Sequence, residues 1–313
     1  MNDLIIIGGG PAGVAAGVYA ARKRLKTLLL TPTIGGQSTE SFGIENWIGT
    51  EKISGADLAK TLSKHLESTK GDVLEIQTGE RVTALAKVDE GFTIKTTRGA
   101  SPAGKQEYAA RAVLIASGAG RKKLDVPGAA QFENKGVSYC ASCDGPLFSG
   151  MDVAVVGGGN AGFETAAQLL AYAKSVTLFH RHKEFKADPV TVERVKAHPN
   201  MTLLPYTEPT EVLGEQFVTG LKYKNKDTGE EHTLPVSGIF AELGVLPNTD
   251  FAQGLLLLDE VKRIKVDPKN QRTNVEGIWA AGDATDELYH QNNIAAGDGV
   301  KALEDIYLWL KTR

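Results

Sequence analysis

LIIIGGGPAG (residues 4–13) joins an unbroken apolar run to three glycines and then to the alanine-rich VAAGVYAARK (14–23). A run without polar interruption is the pattern of a strand buried on both faces, and the alanines favour helix. The stretch therefore predicts strand, tight turn, helix. The same grammar returns in VAVVGGGNAG (153–162), followed by FETAAQLLAYA (163–173), with Gly8 and Gly157 lying 149 positions apart. In each copy the first glycine (Gly8, Gly157) permits the sharp turn. The next (Gly10, Gly159) lets backbone approach a pyrophosphate, and the last (Gly13, Gly162) lets the helix pack on the strand. Amides at the helix start then face the diphosphate. The fold expected is α/β, with two Rossmann-like, three-layer ββα dinucleotide-binding domains.

The residues that choose between nucleotides lie at the end of the following strand. In the first copy that end is LLLTPT (28–33), with Thr31; in the second it is VTLFHRHKEFK (176–186), with His180. Neither supplies the acid that binds a free ribose hydroxyl. His180, Arg181, His182, Lys183 and Lys186 instead form a basic set suited to a 2'-phosphate, so the second copy is expected to take NADPH. Histidines there would make that grip weaken as pH rises above their pKa values. The first copy needs another dinucleotide, and flavin fits. In TNVEGIWAAGDATD (273–286) a short apolar strand ends in Gly282 and Asp283, an acid placed to accept from a sugar-like hydroxyl chain. AVLIASGAG (112–120) reads as a strand meeting a small-residue turn.

The chain has two cysteines, Cys140 and Cys143, in SYCASCDGPLF (138–148) just ahead of the second fingerprint. Two intervening residues allow a disulfide to close and open with little backbone movement, and Asp144 follows as a proton donor. The pair reads as a redox couple. Zinc would need two more ligands from histidines that lack suitable spacing, and so short a loop gains little stability from a bridge. An inert buried pair is the remaining alternative.

With 313 residues the chain suits two domains, and 35 Lys and Arg against 38 Asp and Glu leave a net charge of −3. That balance offers nothing for nucleic acid or an anionic membrane. No apolar stretch approaches a bilayer span, and MNDLIIIGGG lacks the basic start of a secretory signal, so a cytoplasmic protein is expected. His65 and His198 read as surface residues, LLLL (255–258) as a core edge, and the aromatics of DIYLWL (305–310) as a packing or dimer face.

Taken in order, GGGPAG, GGQ (35–37), IENWIG (44–49), ASGA (116–119), YCASCDG, GGGNAG, GVLPNT (244–249) and GIWAAGDATD resemble the low-molecular-weight thioredoxin reductase family, and the related flavoprotein subunit of alkyl hydroperoxide reductase, over essentially the whole chain. The resemblance implies an FAD domain split into 1–117 and 245–313, with a nicotinamide and redox domain, 118–244, inserted between SGAG and GVLPNTD. It implies FAD at Gly8, Gly10, Pro11, Ala12, Gly13, Gly35, Gly36, Gln37, Asn46, Ala116, Gly118, Gly282, Asp283, His290 and Gln291. NADPH is implied at Gly157, Gly159, Asn160, Ala161, Gly162, His180, Arg181, His182 and Lys186. Cys143 would face the flavin, Cys140 would attack a partner disulfide, and Asp144 would be the acid. A homodimer with a hinged inserted domain, serving a thioredoxin-like or glutaredoxin-like protein, completes the implication. Because Met1 lies just before the first strand, the N-terminal CxxC relay of the hydroperoxide reductase flavoprotein is not expected here. Three departures bear on the nucleotide: HRH replaces HRR with Lys186 for an arginine, Ala161 replaces a serine, and His290-Gln291 replaces Arg-Gln. NADH, ferredoxin or a second flavin as donor, and a flavin-bound redox sensor, stay open beside the NADPH enzyme.

Overall fold

The computed structural model describes residues 1–41, 43–98 and 105–312. The chain forms two compact units, one of Met1–Glu40, Trp47–Gly120 and Leu246 onward, the other of Ser41–Asn46 and Arg121–Val245. The second is thus inserted in the first.

The first unit opens with β1 (Asn2–Gly9), α1 (Pro11–Arg22) and β2 (Thr27–Ile34). Then come α2 (Gly55–Thr69), β3 (Leu74–Thr78), β4 (Glu80–Val88), β5 (Gly91–Arg98) and β6 (Lys105–Ile115). Leu4, Ile5 and Ile6 have no exposed surface, because β1 runs between two parallel neighbours, β2 and β6. Pro11 opens α1, where its missing N–H costs nothing. β4, β5 and β6 form an antiparallel meander on the same sheet.

Through β7 (Ala119–Arg121) the chain enters the second unit, which begins with β8 (Val137–Ser138) and the single turn α3 (Ala141–Asp144). The repeat follows as β9 (Asp152–Val156), α4 (Asn160–Leu169) and β10 (Ser175–His180), then α5 (Pro189–Lys196) and β11 (Met201–Pro205). A three-stranded antiparallel sheet of β12 (Thr207–Gly214), β13 (Val218–Asn225) and β14 (Glu231–Pro235) precedes β15 (Gly238–Ala241). The parallel sheet runs β11-β10-β9-β15-β8, and Val153, Ala154 and Val155 at its centre are fully buried.

The chain returns through β16 (Val245–Pro247) to β17 (Ile278–Ala280) and α6 (Asn292–Lys311). β17 pairs with the end of β6, completing the sheet order β3-β2-β1-β6-β5-β4. Buried Ala295, Gly299, Ala302, Leu303, Ile306 and Leu310 give α6 a face at helical spacing. A Cβ on Gly299 would fall 2.2 Å from the carbonyl oxygen of Ala12, so this glycine lets α6 lie against α1. Leu303 and Ile306, fully buried, contribute about 1.5–3 kcal/mol each. Of the aromatics near the end, Tyr307 and Trp309 pack on this core, Trp309 edge-on to Trp279. In the leucine run Leu256 is buried, whereas Leu257 is exposed.

Candidate active site

The first glycine turn is shaped by close backbone approach. Gly8 has φ +117° and a Cβ there would meet Ala116 O at 2.1 Å; one on Gly13 would meet Gly8 O at 1.9 Å. No other residue type fits either position. In front of the turn lies a cleft of about 700 Å³, lined by Gly8, Gly10, Pro11, Ala12, Gly36, Gln37, Ala116, Gly118, Gly282 and Asp283. That volume suits a large cofactor. Gly13 supports the wall from behind, and Gly35 packs on Ala59 and Thr39. Gln291 is the residue before α6, His290 Nδ1 stands 3.5 Å from Asp283 Oδ1, and exposed Asn46 is counted with the second unit. Ser38 and Asn292, joined by the serine hydroxyl at 2.9 Å, also line the cleft and carry no motif signal.

In the second turn a Cβ on Gly157 (φ +130°) would lie 2.2 Å from Glu242 O, and one on Gly162 would lie 1.8 Å from Gly157 O. Gly159 has open space beside it, as an approach route requires. The loop after β10 folds back on the turn: the Lys186 N–H donates to Gly158 O at 3.0 Å and the Asp188 N–H to Asn160 Oδ1 at 2.8 Å.

His180 is only 7% exposed; its Nε2 lies 2.9 Å from Glu184 O and its ring stacks on Phe185. Burial, with help from the charges of His182, Lys186 and Arg181, holds its pKa below the ordinary value. Arg181 Nε donates to His182 Nε2 at 3.2 Å, so that nitrogen is an acceptor in a neutral ring. Partial loss of solvation and the charges of Lys186, Arg181 and Lys226 lower the His182 pKa as well. Lys183 pairs with Asp227 at 2.9 Å. Arg181 and Lys186 are then the charged groups best able to meet a phosphate.

Cys140 and Cys143 are joined in a disulfide, with their Cα atoms 5.3 Å apart. Cys140 precedes α3, and its carbonyl accepts from the Cys143 and Asp144 N–H groups at 3.2 and 3.0 Å. Ser138 links cysteine and acid: its hydroxyl oxygen accepts from the Cys140 N–H at 3.1 Å, and its O–H donates to Asp144 Oδ2 at 2.6 Å. The Ser41 O–H donates to Asp144 Oδ1 at 3.3 Å. Burial raises the Asp144 pKa above the carboxylate range, against the opposing pull of Ser138, Ser41 and Arg121. Glu242, which follows the end of β15, is raised by burial in the same way. Sequence reading passed over Ser41, Ser138 and Glu242, which no motif marks.

Two nucleotide-type turns and a closed CxxC on one chain match a known architecture. The pyridine nucleotide-disulphide oxidoreductase profile aligns with residues 2–299. The chain belongs to this family. It is 32% identical to the thioredoxin reductase of Streptococcus pyogenes MGAS5005, with a TM-score of 0.90 and coverage of 100% of this chain and 99% of that one. It is 33% identical to the thioredoxin reductase of Giardia duodenalis, again with a TM-score of 0.90 and 99% of each chain covered. The flavoprotein subunit of alkyl hydroperoxide reductase from Staphylococcus aureus (strain NCTC 8325 / PS 47) is 42% identical over 300 residues, 96% of this chain. The match spans 57% of that relative's length. Members of the pyridine nucleotide-disulphide oxidoreductase family to which these relatives belong bind FAD and use NADPH. This family member is a thioredoxin reductase-like flavoprotein disulfide oxidoreductase. Among its described residues no helix is long and apolar enough to cross a membrane.

Proposed function

We propose that this chain passes electrons from NADPH, through FAD, to the Cys140–Cys143 disulfide, and from there to the disulfide of a thioredoxin-like or glutaredoxin-like protein. The first unit is the FAD domain and the second the nicotinamide and redox domain; the working form is a cytoplasmic homodimer. FAD, when bound, supplies the two-electron chemistry that links a nicotinamide to a disulfide. The glycine turns hold the diphosphates, Asp283 accepts from the sugar-like chain, and Arg181 and Lys186 hold the 2'-phosphate.

Opening the Cys140–Cys143 bond consumes two electrons and two protons. The Cys140 thiolate attacks the partner's disulfide, forming a mixed disulfide and releasing one partner thiolate. Cys143 then attacks the Cys140 sulfur, releases the second thiol and closes its own bridge. Asp144, held in its protonated form by burial and tied to Cys140 through Ser138, delivers the proton to the leaving sulfur.

The observation carrying this reading is the formed disulfide set beside a buried acid on a shared serine. Steady-state NADPH oxidation tests it: turnover should need both the purified chain and a thioredoxin-like disulfide, and NADH should serve less well. Oxidation unaffected by omitting the disulfide protein would count against it. A second reading follows from the 42% identity to the alkyl hydroperoxide reductase flavoprotein. In it the electrons serve a peroxide-reducing partner, and the same assay with that class of acceptor separates the two.

A further inference from the structure

The end of β2 has no carboxylate. Thr31, Pro32 and Thr33 occupy the stretch where a dinucleotide fold commonly places an acid for the adenosine ribose. Thr31 pairs with Thr78 in β3, and the Gly79 N–H donates to Pro32 O at 3.0 Å. Glu80, the next residue and the first of β4, is therefore held beside the bare strand end. It lines the same cleft as Thr31 and Thr33.

Glu80 is 1% exposed, yet only half of its carboxylate is satisfied. The Thr96 O–H donates to Oε2 at 2.5 Å, whereas Oε1 is buried without a partner. A buried carboxylate oxygen left unpaired is costly, and native structures keep such a group where something else completes it. The cleft has two further acids. Asp250 is largely exposed and pairs with Lys262 at 3.4 Å, and Asp283 follows Gly282 beside His290. Glu80 alone of the three is buried, half-bonded and next to the end of β2.

We propose that Glu80 is the carboxylate for the adenosine ribose in the first cradle, with Thr96 fixing one oxygen and a ribose hydroxyl donating to the other. The acid missing from β2 is thereby supplied from the start of β4. This inference rests on the reading of the cleft as a dinucleotide site. It makes Glu80 a determinant of selectivity for FAD over FMN, which lacks the adenosine.

The test measures FAD and FMN dissociation constants of the apoprotein by flavin fluorescence, for wild type, Glu80→Gln and Glu80→Ala. Glu80→Gln keeps the shape and the Thr96 bond but loses the charge-assisted ribose bond, so FAD should bind about tenfold more weakly. FMN affinity should stay the same. Glu80→Ala should show the larger loss for FAD, and melting of the two apoproteins checks that both are folded. An FAD-to-FMN affinity ratio unchanged in Glu80→Gln overturns the role of Glu80 while leaving the cleft's assignment intact. Wild-type apoprotein that takes up neither flavin overturns both.

Discussion

At the first cradle a Cβ on the last glycine would fall 1.9 Å from a carbonyl oxygen, and at the second 1.8 Å, so the two turns obey one steric rule. Their nucleotide-reading ends have nothing in common. β2 ends in Thr-Pro-Thr with Glu80 brought in beside it, whereas β10 ends in His180, Arg181 and His182. The backbone turn holds a diphosphate of any kind, and the next strand's end decides which dinucleotide follows it. A chain can therefore repeat the turn and diverge in its ligands.

The largest expected effect comes from breaking one turn at a time. Gly13→Ala forces a Cβ into Gly8 O and should yield protein without flavin, a loss of FAD affinity of ~100-fold or more. Gly162→Ala makes the matching clash with Gly157 O; it should keep normal flavin content while NADPH no longer reduces it. Absorption spectra of the two purified variants check the pair, and flavin loss in both would erase the distinction between cradles.

Cys140→Ser and Cys143→Ser come next. Each should cut transfer to a protein disulfide by ~1000-fold, while NADPH-driven reduction of a small artificial acceptor continues. Parallel assays with the two acceptors show whether the sulfurs lie downstream of both cradles.

Arg181→Ala should raise the KM for NADPH about tenfold and leave that for NADH nearly unchanged. His182→Ala should do little, because neighbouring charge and partial loss of solvation already keep that ring neutral near pH 7. The two lowered histidines also make NADPH affinity flat across the neutral to alkaline range. A KM that climbs steadily with pH would return the phosphate grip to His180 and His182.

The smallest effect concerns Asp144. Its folded-state pKa is raised, so burial favours the protonated form; the stability this contributes is present below the ordinary value of 3.8 and is lost as pH rises through the raised one. Asp144→Asn removes that loss. Its melting temperature should equal wild type in acid and exceed it by ~3 °C at neutral pH, even as disulfide turnover falls. Melting curves at both pH values check the sign.

Both turns were legible in the sequence because their glycines answer a local backbone demand, and the neighbouring cysteines bonded as their spacing allows. His180 was legible as a residue but not in its orientation: the last five residues of β10 are all buried, so its ring faces Phe185 and Glu184. Glu80 was hidden because its place depends on the pairing of β2 with β3, a contact between residues far apart in the chain. Ser41 reaches Asp144 across 103 positions, which no motif spacing can announce.

Anaerobic addition of NADPH to the purified chain, followed by counting thiols that alkylation can trap, tests the central claim most directly. Two new thiols per chain, mapped to Cys140 and Cys143 and absent in Gly162→Ala, are the result the two-cradle relay predicts. Flavin that loses its colour while Cys140–Cys143 stays closed would contradict it.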